Sequence, residues 1–213
     1  MPTARTRATS SLVVDRREFL GFGAGLTSGL WAAGADAAPA SGLVETMRGE
    51  AFAELKGARR ALAVRANVFV EETILTGQAA RLSLRFGTDT TLRLGSAARL
   101  TIDRYIANAG GEFSLMEGGI LLDRPRKQQK NAESVLRSLF GLIAIRGTRV
   151  FAGPSNGVFG VFVVHGSVDV TAAGKTVKVD RGFGTNIAKP GDPPTDPAAW
   201  KRPRIKAALA SVV

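Results

Sequence analysis

His165 is the only histidine in 213 residues, and the chain contains no cysteine. Imidazole and thiolate are the groups that most often hold zinc or serve as base and nucleophile near neutral pH. Such chemistry needs several of them to converge. His165, next to Gly166 at an expected turn, has no second histidine to work with. Glu71 and Glu72 are adjacent, so in an extended segment they point to opposite faces and cannot act as a carboxylate pair. The lack of cysteine also excludes disulfides, thiolate metal sites, a cysteine nucleophile and a lipid-modified cysteine anchor. These residues predict a non-enzymatic protein with no metal and no cofactor.

What remains is cationic chemistry in two places. The first is Arg146-Gly147-Thr148, wedged between the apolar runs Leu142–Ile145 and Val150–Ala152. An isolated buried charge is prohibitively costly, so Arg146 must either be paired or reach the edge of the core. Gly147 permits a positive φ or a bulge, and Thr148 can hydrogen-bond the resulting bend. The triplet therefore reads as a corner that locks one turn of a β structure. The second place is the polar stretch 123–134, which carries Arg124, Arg126, Lys127 and Lys130. It reads as a solvated loop or, alternatively, as a basic loop that concentrates an anionic polymer.

The segments that position these residues have the period-two pattern of half-buried strands. Leu82, Leu84 and Phe86 alternate with Arg81, Ser83 and Arg85; Leu92 and Leu94 flank Arg93; Leu100 and Ile102 alternate with Arg99, Thr101 and Asp103. Turn signals separate them at Thr76-Gly77, Gly87-Thr88-Asp89, Gly95-Ser96, 108–111 and Gly118-Gly119. Leu142–Ile145 is a continuous apolar run expected to be buried on both faces. Val158–Val164 reads as a central strand, and Ala172-Ala173-Gly174 as the turn of a hairpin. The expected fold is all-β, with stacked short strands in a solenoid-like or sandwich (jelly-roll-like) arrangement over residues 51–188. Residues 189–199 form a proline-rich linker. Residues 200–212 form a short amphipathic helix, docked on the β core through Trp200 or, alternatively, lying on a membrane surface.

The amino terminus differs in composition. Arg16-Arg17 followed by Phe19-Leu20 precedes a weakly apolar, glycine- and alanine-rich run. That run ends in the small-x-small pattern Ala35-Asp36-Ala37 and again at Ala38-Pro39-Ala40. This resembles a twin-arginine export signal over residues 1–37, cleaved near 37–40. The run is too short and too poor in large apolar residues for a stable span, so no transmembrane segment is expected in the mature chain. Gly21-Phe22-Gly23-Ala24-Gly25 lies inside this leader, out of context for a nucleotide loop. The net charge is +11; four of the 29 basic and three of the 18 acidic residues fall in 1–37, so the remainder carries +10. Basicity thus belongs to the folded part. No helix-turn-helix or aromatic platform accompanies it, and nucleic acid is not an expected partner.

The run Ile145-Arg146-Gly147-Thr148 and its apolar flanks resemble the most constant segment of the FecR domain family. These are periplasmic β domains best known from regulators of iron–siderophore uptake. The resemblance extends over roughly residues 60–184. Thr76-Gly77 is similar to the family's Thr-Gly turn, Phe113–Gly119 to its Leu-x-x-Gly segment, and His165-Gly166-Ser167-Val168 stands at its Glu-Gly-x-Val. The chain departs from the pattern at Arg65-Ala66-Asn67, at Asp89-Thr90, and at Leu139-Phe140-Gly141, where Thr-Pro is usual. No anti-sigma helical region or spanning helix is recognisable, so transmembrane control of a sigma factor does not carry over. The resemblance implies an exported, periplasmic binding, sensing or signalling module that contacts an envelope protein through strand edges or loops. The charge suggests a different role, a basic module binding an anionic envelope polymer.

Overall fold

Alternating apolar residues and glycine-bearing turns build eighteen strands and one helix among the described residues. The computed structural model describes residues 39–106, 109–124 and 134–213. Arg16, Arg17, Phe19 and Leu20 of the expected signal lie outside the described residues, as do Arg126, Lys127 and Lys130 of the basic stretch. The chain begins with β1 (Gly42–Arg48), β2 (Ala51–Leu55), β3 (Ala58–Ala61), β4 (Asn67–Val68) and β5 (Thr73–Thr76). It continues through β6 (Arg81–Phe86), β7 (Thr90–Leu94), β8 (Arg99–Ile106), β9 (Gly110–Glu117) and β10 (Ile120–Asp123). Then come β11 (Ser134–Ser138), β12 (Gly141–Ile145), β13 (Arg149–Ser155), β14 (Val158–His165) and β15 (Ser167–Ala172). β16 (Lys175–Asp180), β17 (Phe183–Ile187), β18 (Ala198–Ala199) and α1 (Arg202–Ala210) complete it.

The strands form two nine-stranded sheets. The first has the order β18-β17-β14-β13-β10-β7-β6-β1-β4, and the second β16-β15-β12-β11-β9-β8-β5-β2-β3. The chain crosses between the sheets every one or two strands and advances along both together. Apart from the parallel pair β9–β11, neighbours are antiparallel. The all-β expectation is met by an open sandwich that the chain builds in solenoid-like order. Its interior is one apolar cluster in which Leu84, Phe86, Leu92 and Leu94 of the first sheet meet Ile74, Leu100, Ile102 and Phe113 of the second. All eight are fully buried. Phe86 and Phe113 meet edge to face at 5.4 Å, the arrangement that the ring quadrupole favours.

β1 precedes Ala51, where the sequence reading began the domain. Leu142–Ile145 is buried on one side only. Ile143 and Ile145 enter the core, while Leu142 and Ala144 are part-buried, because the outer face of the second sheet carries no covering layer among the described residues. β14 is buried on both sides, as the sequence indicates. Its outward Phe162, with Leu121 and Phe151, lies under α1 and the preceding Trp200.

Trp200 stacks on Phe162 at 5.1 Å, and the Arg204 guanidinium lies 3.5 Å above the Trp200 ring. Arg204 donates to the Ser155 hydroxyl at 3.0 Å and to Asn186 Oδ1 at 2.6 Å. Burial pushes the Arg204 guanidinium below its ordinary pKa. The indole approaches so closely because Gly160 and Gly184 lie beneath it; a Cβ on Gly160 would sit 2.6 Å from the ring. The helix packs on the outer face of the first sheet, over a second and smaller apolar cluster. The proline-rich segment is also held, since Thr195 donates to the Asn186 carbonyl and accepts from Thr185, and β18 pairs with β17.

One ion pair escaped the sequence reading. Glu72 is 3 % exposed and accepts from Arg60 Nη2 on both carboxylate oxygens at 2.8 Å and from Arg60 Nε at 3.1 Å. It also accepts the Phe69 amide at 3.0 Å, so the buried carboxylate is satisfied as its burial requires. Among the described residues, no helix is long and apolar enough to cross a membrane.

Candidate functional site

At one end of the sandwich, β12 passes into β13 through the corner that carries Arg146, Gly147 and Thr148. Gly147 has φ +60°, the left-handed conformation that its lack of a side chain permits. The inward residue is Thr148, which is fully buried. Its single O–H is shared between the Arg146 carbonyl, at 3.0 Å, and the Ser167 carbonyl, at 2.9 Å. Arg146 itself is exposed, so the charge reaches the edge of the core.

Gly166 in the β14–β15 turn closes the corner. It has φ +82°, and a Cβ there would lie 2.8 Å from the Gly147 carbonyl oxygen and 2.9 Å from Thr148 Oγ1. Arg-Gly-Thr and His-Gly-Ser, far apart in sequence, therefore form one tightly packed joint. His165 is exposed beside it. Among the described residues, no group of three or more His, Cys, Asp or Glu could hold a metal ion.

The basic stretch contributes one described cation, and it points inward. Arg124 is 5 % exposed. Its guanidinium donates to the Ser134 hydroxyl at 3.0 Å, and its backbone N–H donates to the Thr148 carbonyl at 3.0 Å. Arg124 therefore belongs with the corner as a buried bracing residue and is withdrawn from any loop surface.

The opposite end is finished differently. There, the β11–β12 and β13–β14 turns and the end of β9 leave an apolar notch of about 290 Å³ between the sheets. Leu115, Met116, Phe140, Pro154, Phe159 and Ala188 line it. Phe140 and Phe159 stack nearly parallel, with centroids 4.5 Å apart. Met116 at the notch is 43 % exposed, and Leu139 beside Phe140 is 55 % exposed. Contiguous exposed apolar surface rimmed by polar residues is the usual mark of an interaction site. The concavity can take an apolar side chain from another molecule. The sequence signal is Leu139-Phe140-Gly141, a large apolar pair where Thr-Pro is usual in the family it resembles, but its partners Met116, Pro154 and Phe159 are too distant in sequence to be joined to it.

Residues 72–169 match the family model described as FecR protein. That segment runs from the buried Glu72 through the Arg146–Thr148 corner to β15. No curated protein matches the chain. Among solved structures, it is similar to two crystal structures of a candidate anti-sigma factor from Parabacteroides distasonis ATCC 8503. Each has a TM-score of 0.53 and 11 % identity over 64 % of this chain. The match spans 64 % and 63 % of those chains, just under two thirds of their length. At that identity the likeness is one of fold.

Proposed function

Taking residues 72–169 as a FecR domain, we propose that this chain is an exported, non-catalytic sensing or regulatory module of the cell envelope that docks a protein partner in its apolar notch. The notch carries the reading: Leu139 and Met116 stand in solvent beside the stacked Phe140 and Phe159, with an open concavity between the sheets. Burying such side chains is worth roughly 1.5–3 kcal/mol each, the scale on which a few anchors carry an interface. The family match supports a regulatory role, and the fold likeness to a candidate anti-sigma factor is consistent with it. Export rests on Arg16, Arg17, Phe19 and Leu20 and on the small residues before Ala38. It predicts a mature mass lacking about the first 37–40 residues and full-length retention in the cytoplasm when Arg16→Lys and Arg17→Lys are combined.

The test is a photo-crosslinking residue placed at position 139 of the full chain in a bacterial host, with position 181 as control. A discrete protein adduct at 139 that still forms when irradiation is carried out at high salt and disappears with Phe140→Asp is the expected result. Salt separates apolar from charge-driven contact, because the Debye length falls from ~10 Å at 0.1 M to ~3 Å at 1 M. Equal adducts at both positions, or salt-sensitive retention of envelope polysaccharide alone, would overturn the notch as the docking site.

A further inference from the structure

The outer face of the first sheet is divided along one row of register partners. Thr46, Ser83, Arg93, Leu121, Phe151 and Phe162 lie side by side on β1, β6, β7, β10, β13 and β14. Leu121, Phe151 and Phe162 are covered by Trp200 and α1. The other half of the row is uncovered and basic. Next to it, Arg48 of β1 is the direct cross-strand partner of Arg81 of β6, a like-charge pairing that destabilises a sheet unless something answers it. Arg48, Arg81 and Arg93, with Thr46, Ser83 and Val212, line a cleft of about 300 Å³.

Val213, the last residue of the sequence, also lines the cleft but forms no ion pair with the three arginines, and little else among the described residues answers their charge. The nearby Glu45 is directed to Arg85, at 3.7 Å, and to the Ser83 hydroxyl, at 3.3 Å. Arg81 donates to the carbonyls of Ala80, at 2.8 Å, and Ala210, at 3.4 Å. The side chains of Arg48 and Arg93 have neither a hydrogen bond nor a carboxylate partner among the described residues. From this juxtaposition we infer that the cleft is a site for a phosphate group. A carboxylate is a planar monoanion satisfied by one guanidinium fork, whereas a phosphate monoester carries about −1.5 to −2 charge and three acceptor oxygens. Three guanidiniums around a small concavity, with the Thr46 hydroxyl at its edge, match the phosphate better. The cleft volume is at the lower end for ligand pockets, so it holds a head group and not a long polymer segment. This site is separate from the apolar notch and stands or falls independently of it.

The experiment follows backbone amide shifts of the full chain at low salt during titration with inorganic phosphate, glucose 6-phosphate and galacturonate. Saturable shifts at Thr46, Arg48, Ser83 and Arg93 with the two phosphates, and at least several-fold weaker binding of galacturonate, are expected. Tighter binding of glucose 6-phosphate than of inorganic phosphate identifies a phosphomonoester as the ligand class; the reverse identifies the free ion. Arg48→Gln and Arg93→Gln should each weaken phosphate binding about tenfold, the scale of one charge-assisted hydrogen bond. Arg48 is exposed and faces Arg81, so Arg48→Gln should not lower the melting temperature, and relief of the like-charge pair should raise it slightly; this keeps the test valid if Arg93→Gln misfolds. Arg181→Gln, an equal charge change at another exposed position, should leave binding within twofold. Non-saturating shifts spread over the basic surface, galacturonate binding as tight as phosphate, or an equal loss with Arg181→Gln would overturn the site.

Discussion

The two ends of the sandwich are made of the same short strands and turns, yet they are finished in opposite ways. At the Arg146–Thr148 end, a buried hydroxyl, a left-handed glycine and a second glycine under it join two turns with no room to spare. At the other end, the turns hold Leu139 and Phe140 partly in solvent above an open notch. Backbone groups at the closed end are satisfied by the chain itself, which is what a fold needs where strands change sheet. Apolar groups at the open end find only part of their burial within the chain. Rigidity thus belongs to the corner, where the chain most resembles the FecR family model it matches, and exposed apolar surface to the turn at Leu139-Phe140.

The sharpest way to break this comparison is to substitute Gly166. Gly166→Val places a branched side chain at φ +82° and against the Gly147 carbonyl. Left-handed backbone costs such a residue about 1–2 kcal/mol, and overpacking adds roughly 1–3 kcal/mol. Denaturant unfolding should therefore show about 3 kcal/mol of lost stability, and a loss below ~1 kcal/mol would mean that the joint is loose. Thr148→Val keeps the shape but leaves the Arg146 and Ser167 carbonyls without their donor. Its expected cost is about 1–3 kcal/mol in the same measurement. Phe140→Leu, at the open end, keeps most of the apolar area and removes the stack on Phe159. It should cost only about 0.5–1.5 kcal/mol. A larger loss there than at Thr148 would reverse the assignment of the rigid end.

Much of this was legible in the sequence, for a physical reason. Alternation such as Leu82-Ser83-Leu84-Arg85-Phe86 encodes which face of a strand is buried, and glycine encodes turns. Strand existence, the all-β class and the docking of Trp200 were therefore readable locally. The depth of burial was not, because it depends on what covers a strand's far side. Leu142–Ile145 and Val158–Val164 look alike in composition, but only the second lies under the helix. Pairings across the chain were equally hidden. Glu72 finds Arg60, Phe140 finds Phe159, and Arg48 faces Arg81 only once strand register is set. Arg124 illustrates the limit in the other direction: a composition that reads as solvated loop includes one arginine that the fold draws inside.

The smallest expected effect is at the residue that draws most notice in the sequence. A full charge between two apolar strands, if buried and paired, would cost about 3–5 kcal/mol to lose. The structure places Arg146 in solvent, where a side-chain contact competes with water and is screened by salt, so that its net worth is about 0–1 kcal/mol. The Arg146 carbonyl accepts from Thr148, and that contact is retained whatever the side chain. Arg146→Ala should therefore unfold within about 1 kcal/mol of the unsubstituted chain, and added salt should narrow even that gap. A loss as large as that of Thr148→Val, unaffected by salt, would show that the guanidinium is bound into the joint and that the corner's rigidity is ionic.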